Sequence, residues 1–206
     1  MKQLIYLLLF CFLFSAMHAQ QTKKIPAVTS TAAKDRLGVS GPLQFNKTNF
    51  NLAWSDKPNE TYYVQEYVPK GENVEHFNQL LTINVFNRPV NLEDAAKQKI
   101  NELNERKKID PDCNYAVSRS KDGKEFMIDF LLSEGSGANA IVEFNIYHYK
   151  QIITANDKPA LIIYAYSKRS YGDATTSFLK NLKTERPALL QAMSTTQMPQ
   201  VKISDK

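Results

Sequence analysis

The chain has 206 residues, of which 43% are hydrophobic and 23% charged, and its formal net charge at pH 7 is +5. This positive excess is small for the length, and the basic residues are scattered, whereas a surface that binds nucleic acid concentrates them in one stripe. The composition therefore argues against nucleic acid as a partner.

The first nineteen residues have the three parts of a cleavable bacterial signal peptide. Lys2 supplies a positive charge, eleven unbroken apolar residues run from Leu4 to Phe14, and Ala19 is a plausible cleavage residue. Eleven apolar residues are too few to span a bilayer, which takes about 20. We therefore expect export to the periplasm or the cell exterior, and a mature protein that is not an integral membrane protein.

Cleavage after residue 19 would remove Cys11 and leave Cys113 as the only cysteine. No intramolecular disulfide could then form, so a packed core has to supply the stability. Residues 20–42 and 194–206 have few large apolar side chains, which predicts a flexible leader and a flexible tail around one α+β domain at 43–193.

The first half of this domain mixes short strands with one clear helix. Leu92 to Arg106 has apolar residues at helical spacing, Asn91 as the N-cap and Asp94 in the first turn, all of which favour a helix. Before it, the pattern predicts a strand at 50–54, a turn at 55–59, a strand at 60–68, a short helix at 74–80 and a strand at 81–86.

The second half predicts a four-stranded antiparallel meander. Its strands are expected at 114–120, 125–133, 140–155 and 161–167, because connections this short join only antiparallel neighbours. Two helices, 174–185 and 188–193, follow, the second opened by Pro187. Apolar residues on both faces of the central strands predict helices on both faces of a mainly antiparallel sheet.

This element order, with the pattern from Trp54 to Val85, resembles the α/β/α sandwich of the Mog1 family and of the PsbP family of photosystem proteins. The resemblance implies a binding or assembly module rather than an enzyme. An alternative is a cystatin-like or NTF2-like domain, in which antiparallel strands wrap one helix, as the helix at 92–106 and the meander after it could do.

The residues with catalytic potential do not assemble into a recognisable catalytic motif. In the predicted meander, Cys113 and His148 lie on the order of 20 Å apart, whereas a nucleophile–base pair needs about 3 Å. The sequence contains no metal-ligand spacing, and Gly135-Ser136-Gly137 lacks the lysine and helix start of a phosphate-binding loop. We expect neither a metal nor a cofactor.

Tyrosines on neighbouring strands are the one positive indication of a binding surface, because tyrosine buries a large area and keeps a polar group. The candidate binding residues are Tyr63, Tyr67, Tyr147 and His148. The sequence thus predicts an exported, non-enzymatic binding or assembly module of the bacterial cell envelope, with an envelope protein as partner. The alternative is a small periplasmic hydrolase or isomerase with an acid/base pair in a sheet pocket, which a desolvated carboxylate or a pocket holding His148 would favour.

Overall fold

The computed structural model describes residues 33–203, so the predicted signal peptide and residues 20–32 of the predicted leader lie outside the described residues. The strands are β1 (Leu43–Phe45), β2 (Thr48–Asn59), β3 (Tyr62–Pro69), β4 (Gln79–Phe86), β5 (Asn114–Arg119), β6 (Glu125–Glu134), β7 (Ile141–Ile153) and β8 (Pro159–Tyr171). The α-helices are α1 (Leu92–Arg106) and α2 (Ala174–Thr195), and one 3₁₀ turn spans Gly137–Asn139 between β6 and β7.

All eight strands belong to one antiparallel sheet with the order β1-β2-β3-β4-β8-β7-β6-β5. The predicted meander is confirmed as β5 to β8, each strand pairing with the next. Strand β4 pairs with β8, so the first four strands extend the same sheet. The protein is therefore an α+β protein in which the sheet dominates, as the sequence predicted at this level.

Helix α1 has the bounds that the sequence predicted. The Asn91 side chain accepts a hydrogen bond of 3.0 Å from the backbone N–H of Asp94, which satisfies one of the free amides of the first turn. Leu92, Ala96 and Leu103 are buried on one face of the helix. Capping residue and apolar stripe both specify this helix locally, which is why its bounds could be read from the sequence.

The two helices lie on opposite faces of the sheet. Arg186 of α2 binds Asp129 on β6, whereas the ammonium of Lys99 on α1 lies 4.9 Å from the ring centre of Phe130, the next residue of that strand. Consecutive residues of a strand point to opposite faces, so the helices cover opposite sides. Farther along the face of α1, Glu66 and Thr82 remain partly exposed, so the expected helical cover extends over only part of this face.

Strand β2 corrects the predicted turn at 55–59. The strand runs to Asn59 and contains two register shifts against β3, between Leu52 and Trp54 and between Asp56 and Asn59. The second shift encloses Pro58, which has no N–H to donate and is tolerated at such irregularities. Turn-forming residues are thus absorbed within a bulged strand.

The predicted helix at 74–80 is also wrong. The Asn73 side chain accepts hydrogen bonds from the backbone N–H groups of Glu75 and His76, at 3.0 and 2.7 Å, but no helix follows this one turn. The N–H of Phe77 instead donates to the hydroxyl oxygen of Tyr171, at 3.2 Å, and β4 begins at Gln79. A capping residue without a sustained helical stripe produces only a turn.

Pro187 lies inside α2 and does not start a second helix. Leu182, Leu189 and Met193, on both sides of the proline, are buried in the same core. Burial of that continuous apolar stripe favours one helix over two, despite the backbone hydrogen bond that the proline cannot make.

Both terminal segments correct the predicted flexible leader and tail. Leu37 and Val39 before β1, and Val201 and Ile203 after α2, are buried in the main core. The backbone N–H of Lys202 donates to the carbonyl of Leu37 at 2.7 Å, which joins the two segments. Composition alone predicted flexibility, yet two well-placed apolar side chains suffice to anchor each segment.

Candidate functional site

The structure does not bring the four predicted binding residues together. Tyr63 and Tyr67 are 1% and 0% exposed and belong to the core below α2. The Tyr67 hydroxyl donates to the carbonyl of Val39 at 2.6 Å, and burial raises the pKa of Tyr67 above its usual value. These two tyrosines therefore have a structural role and cannot present a binding surface, which corrects that prediction.

Tyr147 and His148 are neighbours on β7 and so point to opposite faces. The Tyr147 ring lies below α1, 5.2 Å from the ammonium of Lys99. His148 lies on the face of α2 and lines a groove. Of the four candidates, only His148 lines this groove.

His148 takes part in a cluster of three charged or ionisable side chains, which we call the groove cluster: Glu125, His148 and Lys150. The imidazole Nε2 lies 2.7 Å from one carboxylate oxygen of Glu125, and the ammonium of Lys150 lies 2.5 Å from the other. Glu125 opens β6 directly opposite Lys150 on β7, so the register of these two strands assembles the cluster.

The groove has a volume of about 350 Å³. The start of β6 and the end of β7 form one wall, and the segment after α2 forms the other. Its apolar lining residues are Ile152, Ile153, Met198, Pro199 and Val201. Ile153 is 66% exposed. The groove thus offers apolar contacts beside a charged cluster.

The contacts within the groove cluster act on the pKa of Glu125. The hydrogen bond from Lys150 keeps the pKa of Glu125 below its usual value, opposed by partial burial and assisted by His148. The imidazole Nδ1 of His148 is buried and has no hydrogen-bond partner among the described residues. Glu125 therefore acts as an ionised anchor that orients the imidazole through Nε2.

A second polar cluster lies on the opposite face of the sheet, and we call it the carboxylate cluster: Glu66, Glu143 and Arg169. The guanidinium of Arg169 binds Glu143 through Nε at 2.6 Å and through Nη2 at 2.5 Å, with both side chains nearly buried. The Asn145 amide donates to the other oxygen of Glu143 at 3.0 Å. The Phe77 ring lies 4.1 Å from the guanidinium and shields the pair from water.

Glu66 is the member of the carboxylate cluster whose pKa is shifted toward neutral pH. Burial raises its pKa from 4.5 to about 7, with Arg169 acting in the opposite direction and Glu143 in the same direction. No hydrogen bond to the Glu66 carboxylate compensates its desolvation among the described residues, which is why burial dominates. Glu66 therefore changes its charge near neutral pH.

Replacing Glu66 with glutamine is expected to remove a pH dependence of stability. Between pH 4.5 and about 7 the folded chain holds a proton that the unfolded chain has lost, so the free energy of unfolding falls as the pH rises through this range. Glu66→Gln should therefore stabilise the protein by about 1–3 kcal/mol at pH 8 and hardly at all at pH 4. Urea unfolding at several pH values measures the free energy of unfolding of the original protein and of the variant.

Glu60→Gln is the matched control, because Glu60 is exposed in the turn between β2 and β3. In this variant the free energy of unfolding should depend on pH as it does in the original protein. If Glu66→Gln kept that pH dependence as well, Glu66 would not be the group that titrates.

Cys113 is separated from the groove cluster by the sheet. Its thiol contacts the carbonyl of Leu103 on α1 at 3.6 Å, whereas His148 faces α2. Burial raises the pKa of Cys113, and Asp110 adds to this, so the thiol is held in its unreactive form. Within residues 33–203 no three His, Cys, Asp or Glu side chains come close enough to hold a metal ion.

The acidic members of both clusters escaped the sequence analysis. Glu143 and Arg169 are opposite each other on the consecutive strands β7 and β8, but Glu66 comes from β3, far earlier in the chain, so no local motif links all three. The position of Glu125 could have been predicted, because the predicted meander already brought the start of its second strand next to the end of its third. A register count from the loop at 134–140 would have placed Glu125 near Lys150.

The fold and the two clusters define an α+β protein with one antiparallel sheet, a groove on one face and a buried ion pair on the other. A protein-family model matches residues 37–198, so the chain belongs to that family. The match begins inside the segment that the sequence analysis assigned to a flexible leader. No curated protein and no solved structure matches the chain. Neither helix in residues 33–203 has the length and apolar character that a membrane crossing requires.

Proposed function

We propose that this protein is an exported binding module of the bacterial cell envelope, which holds an extended peptide segment of a protein partner in the groove. The observation that carries the proposal is the convergence of the groove cluster, an apolar lining and an unpaired strand edge in one place. Each of these three features contributes a different part of peptide recognition.

The strand edge is the end of β7. The last residue of β7 that pairs with β6 is Lys150, opposite Glu125. Residues 151–153 continue to pair with β8, but on their other side they pair with no strand in the part of the chain that the structure describes. Such an edge can accept the backbone of an extended peptide as an added strand.

The side chains around this edge would select the peptide. Ile152, Ile153 and Met198 provide apolar contacts, while Glu125 and Lys150 can exchange their mutual ion pair for charges on the ligand. Backbone pairing supplies affinity in this mode of recognition, and alternate side chains supply specificity. A peptide with an apolar residue flanked by charged ones fits this lining.

We further propose that the fold is the α/β/α sandwich of the PsbP and Mog1 families. Helices on opposite faces of the sheet and two strand pairs before α1 support this choice over a cystatin-like or NTF2-like domain. The members of those families serve mostly in binding and assembly, which agrees with a groove that accepts a partner segment.

A set of blocked pentapeptides, with a central isoleucine and acidic or basic flanking residues, provides the probe. Amide shifts in NMR spectra should change at residues 148–153 and 197–201 when the preferred peptide is added. Replacing Lys150 with methionine should weaken binding at least tenfold, a loss of about 1.4 kcal/mol, because the charged contact is lost.

Lys124→Met is the control, because Lys124 is exposed next to Glu125 but does not line the groove. It should bind the peptide as the original protein does. Peptides that cause no shifts in the groove, or that bind Lys150→Met unchanged, would contradict the proposal. Export is tested separately: protein recovered from the periplasmic fraction should begin near Gln20 in mass spectrometry.

A second candidate function is catalysis by an acid/base pair, which two observations favour: the groove that holds His148, and the carboxyl group of Glu66. A carboxyl group with a pKa of about 7 can both accept and donate a proton at neutral pH, as general acid–base catalysis requires. Generic ester, phosphate and proline-isomerisation substrates test this function. A turnover that Glu66→Gln abolishes and Glu60→Gln preserves would establish it against the binding proposal.

A further inference from the structure

Strand β5 leaves one backbone edge of the sheet open. It is the last strand of the sheet and pairs only with β6 among the described residues. Of its six residues only Tyr115 is partly buried, and Val117 is 41% exposed. Its sequence contains neither proline nor lysine, the residues that most often protect such edges from pairing.

The opposite edge of the sheet is protected. Strand β1 has only three residues, and Asn46 and Lys47, directly after it, adopt positive φ angles that end the strand. Short edge strands offer few free hydrogen-bonding groups to another chain. Beyond Phe50 this edge is formed by β2, where two register shifts and Pro58 interrupt a regular ladder. The regular open edge of the sheet is therefore that of β5.

We propose that β5 pairs antiparallel with β5 of a second copy of this chain, so that two sheets join across a twofold axis. With the axis at Val117, this residue lies opposite its own counterpart and both become buried. The same register sets Tyr115 opposite the partner's Arg119. Arginine over an aromatic ring is a favourable pair, and the opposite face brings together the small side chains of Ala116 and Ser118.

The charges of α1 are complementary in this arrangement. Glu93, in the first turn of α1, binds Arg119 at the end of β5 with an N–O distance of 3.0 Å. Lys107, after the last turn, lies over the ring of Tyr115 at the start of β5, 4.4 Å from the ring centre. An antiparallel partner therefore places the acidic end of one α1 beside the basic end of the other.

Sedimentation of the purified protein tests the proposal through its mass. The original protein should sediment with twice the mass of one chain. Val117→Lys and Val117→Glu should each weaken dimerisation at least tenfold, because identical charges then face each other across the axis. An equal mixture of the two variants should recover the dimer, because opposite charges then meet.

Asn51→Lys is the matched control, since it adds the same charge at an exposed position of β2, on the far side of the sheet. It should sediment as a dimer. Recovery in the mixture also shows that both Val117 variants are folded. An original protein that stays monomeric, or a Val117→Lys variant that remains fully dimeric, would overturn the proposal.

Discussion

Replacing Arg169 with methionine is expected to lower the free energy of unfolding by about 3–5 kcal/mol. The guanidinium makes two contacts with Glu143, and the side chains are only 14% and 9% exposed. Removing one partner leaves the other charge buried without compensation, and this loss exceeds the net value of the intact pair. Urea unfolding at neutral pH measures the effect.

Two further variants separate the ion pair from other causes. The double variant Arg169→Met with Glu143→Gln should recover most of the lost stability, because no uncompensated charge remains. Lys108→Met removes the exposed partner of Glu105 and should change stability by less than about 1 kcal/mol. Equal losses in the Arg169 and Lys108 variants would show that burial of the pair is irrelevant.

Replacing Gln65 with leucine should destabilise the protein by about 2–5 kcal/mol. The Gln65 side chain is fully buried. Its carbonyl oxygen accepts hydrogen bonds from the backbone N–H groups of Arg36 and Leu37, the latter at 3.0 Å. Its amide donates to the Tyr67 hydroxyl at 2.6 Å. Leucine has a similar size but leaves the N–H of Arg36 without this acceptor, whereas the N–H of Leu37 keeps only its 3.1 Å hydrogen bond to the Asp35 carboxylate. A buried polar group that loses its partner costs about 1–3 kcal/mol.

Tyr67→Phe provides the comparison, because it removes only the hydroxyl that Gln65 and the carbonyl of Val39 share. Its loss should be smaller, and the double variant should lose less than the sum, since the two side chains belong to one network. Hydrogen exchange should report faster exchange of the Leu37 amide in Gln65→Leu. Unchanged protection there would mean that Gln65 does not hold the segment before β1.

Local sequence signals predicted the elements that depend on local interactions. Helix α1 has its cap, its apolar stripe and its charged ends within sixteen residues, so its bounds were predictable. The meander was predictable because Gly123, with a φ of +71°, and the loop after Glu134 join neighbouring strands over short distances. In these parts the local preference and the final fold agree.

Features that depend on partners distant in the chain could not be predicted from the sequence. Gln65 binds backbone groups almost thirty positions earlier, and Glu66 interacts electrostatically with Arg169, which lies two strands away on the same face of the sheet. The sequence around neither residue indicates its role, because a glutamine or glutamate on a strand is ordinarily solvated. The candidate site shared this difficulty: His148 was named, but its partner Glu125 became evident only from the strand register.

The bond between Lys202 and Leu37 has a consequence for the order of folding. The core that contains Leu37 and Val39 also receives Val201 and Ile203, which lie more than 160 positions later in the sequence. Closing so long a loop costs conformational entropy before the contact contributes any stability. The contact between the two segments is therefore expected to form late in folding.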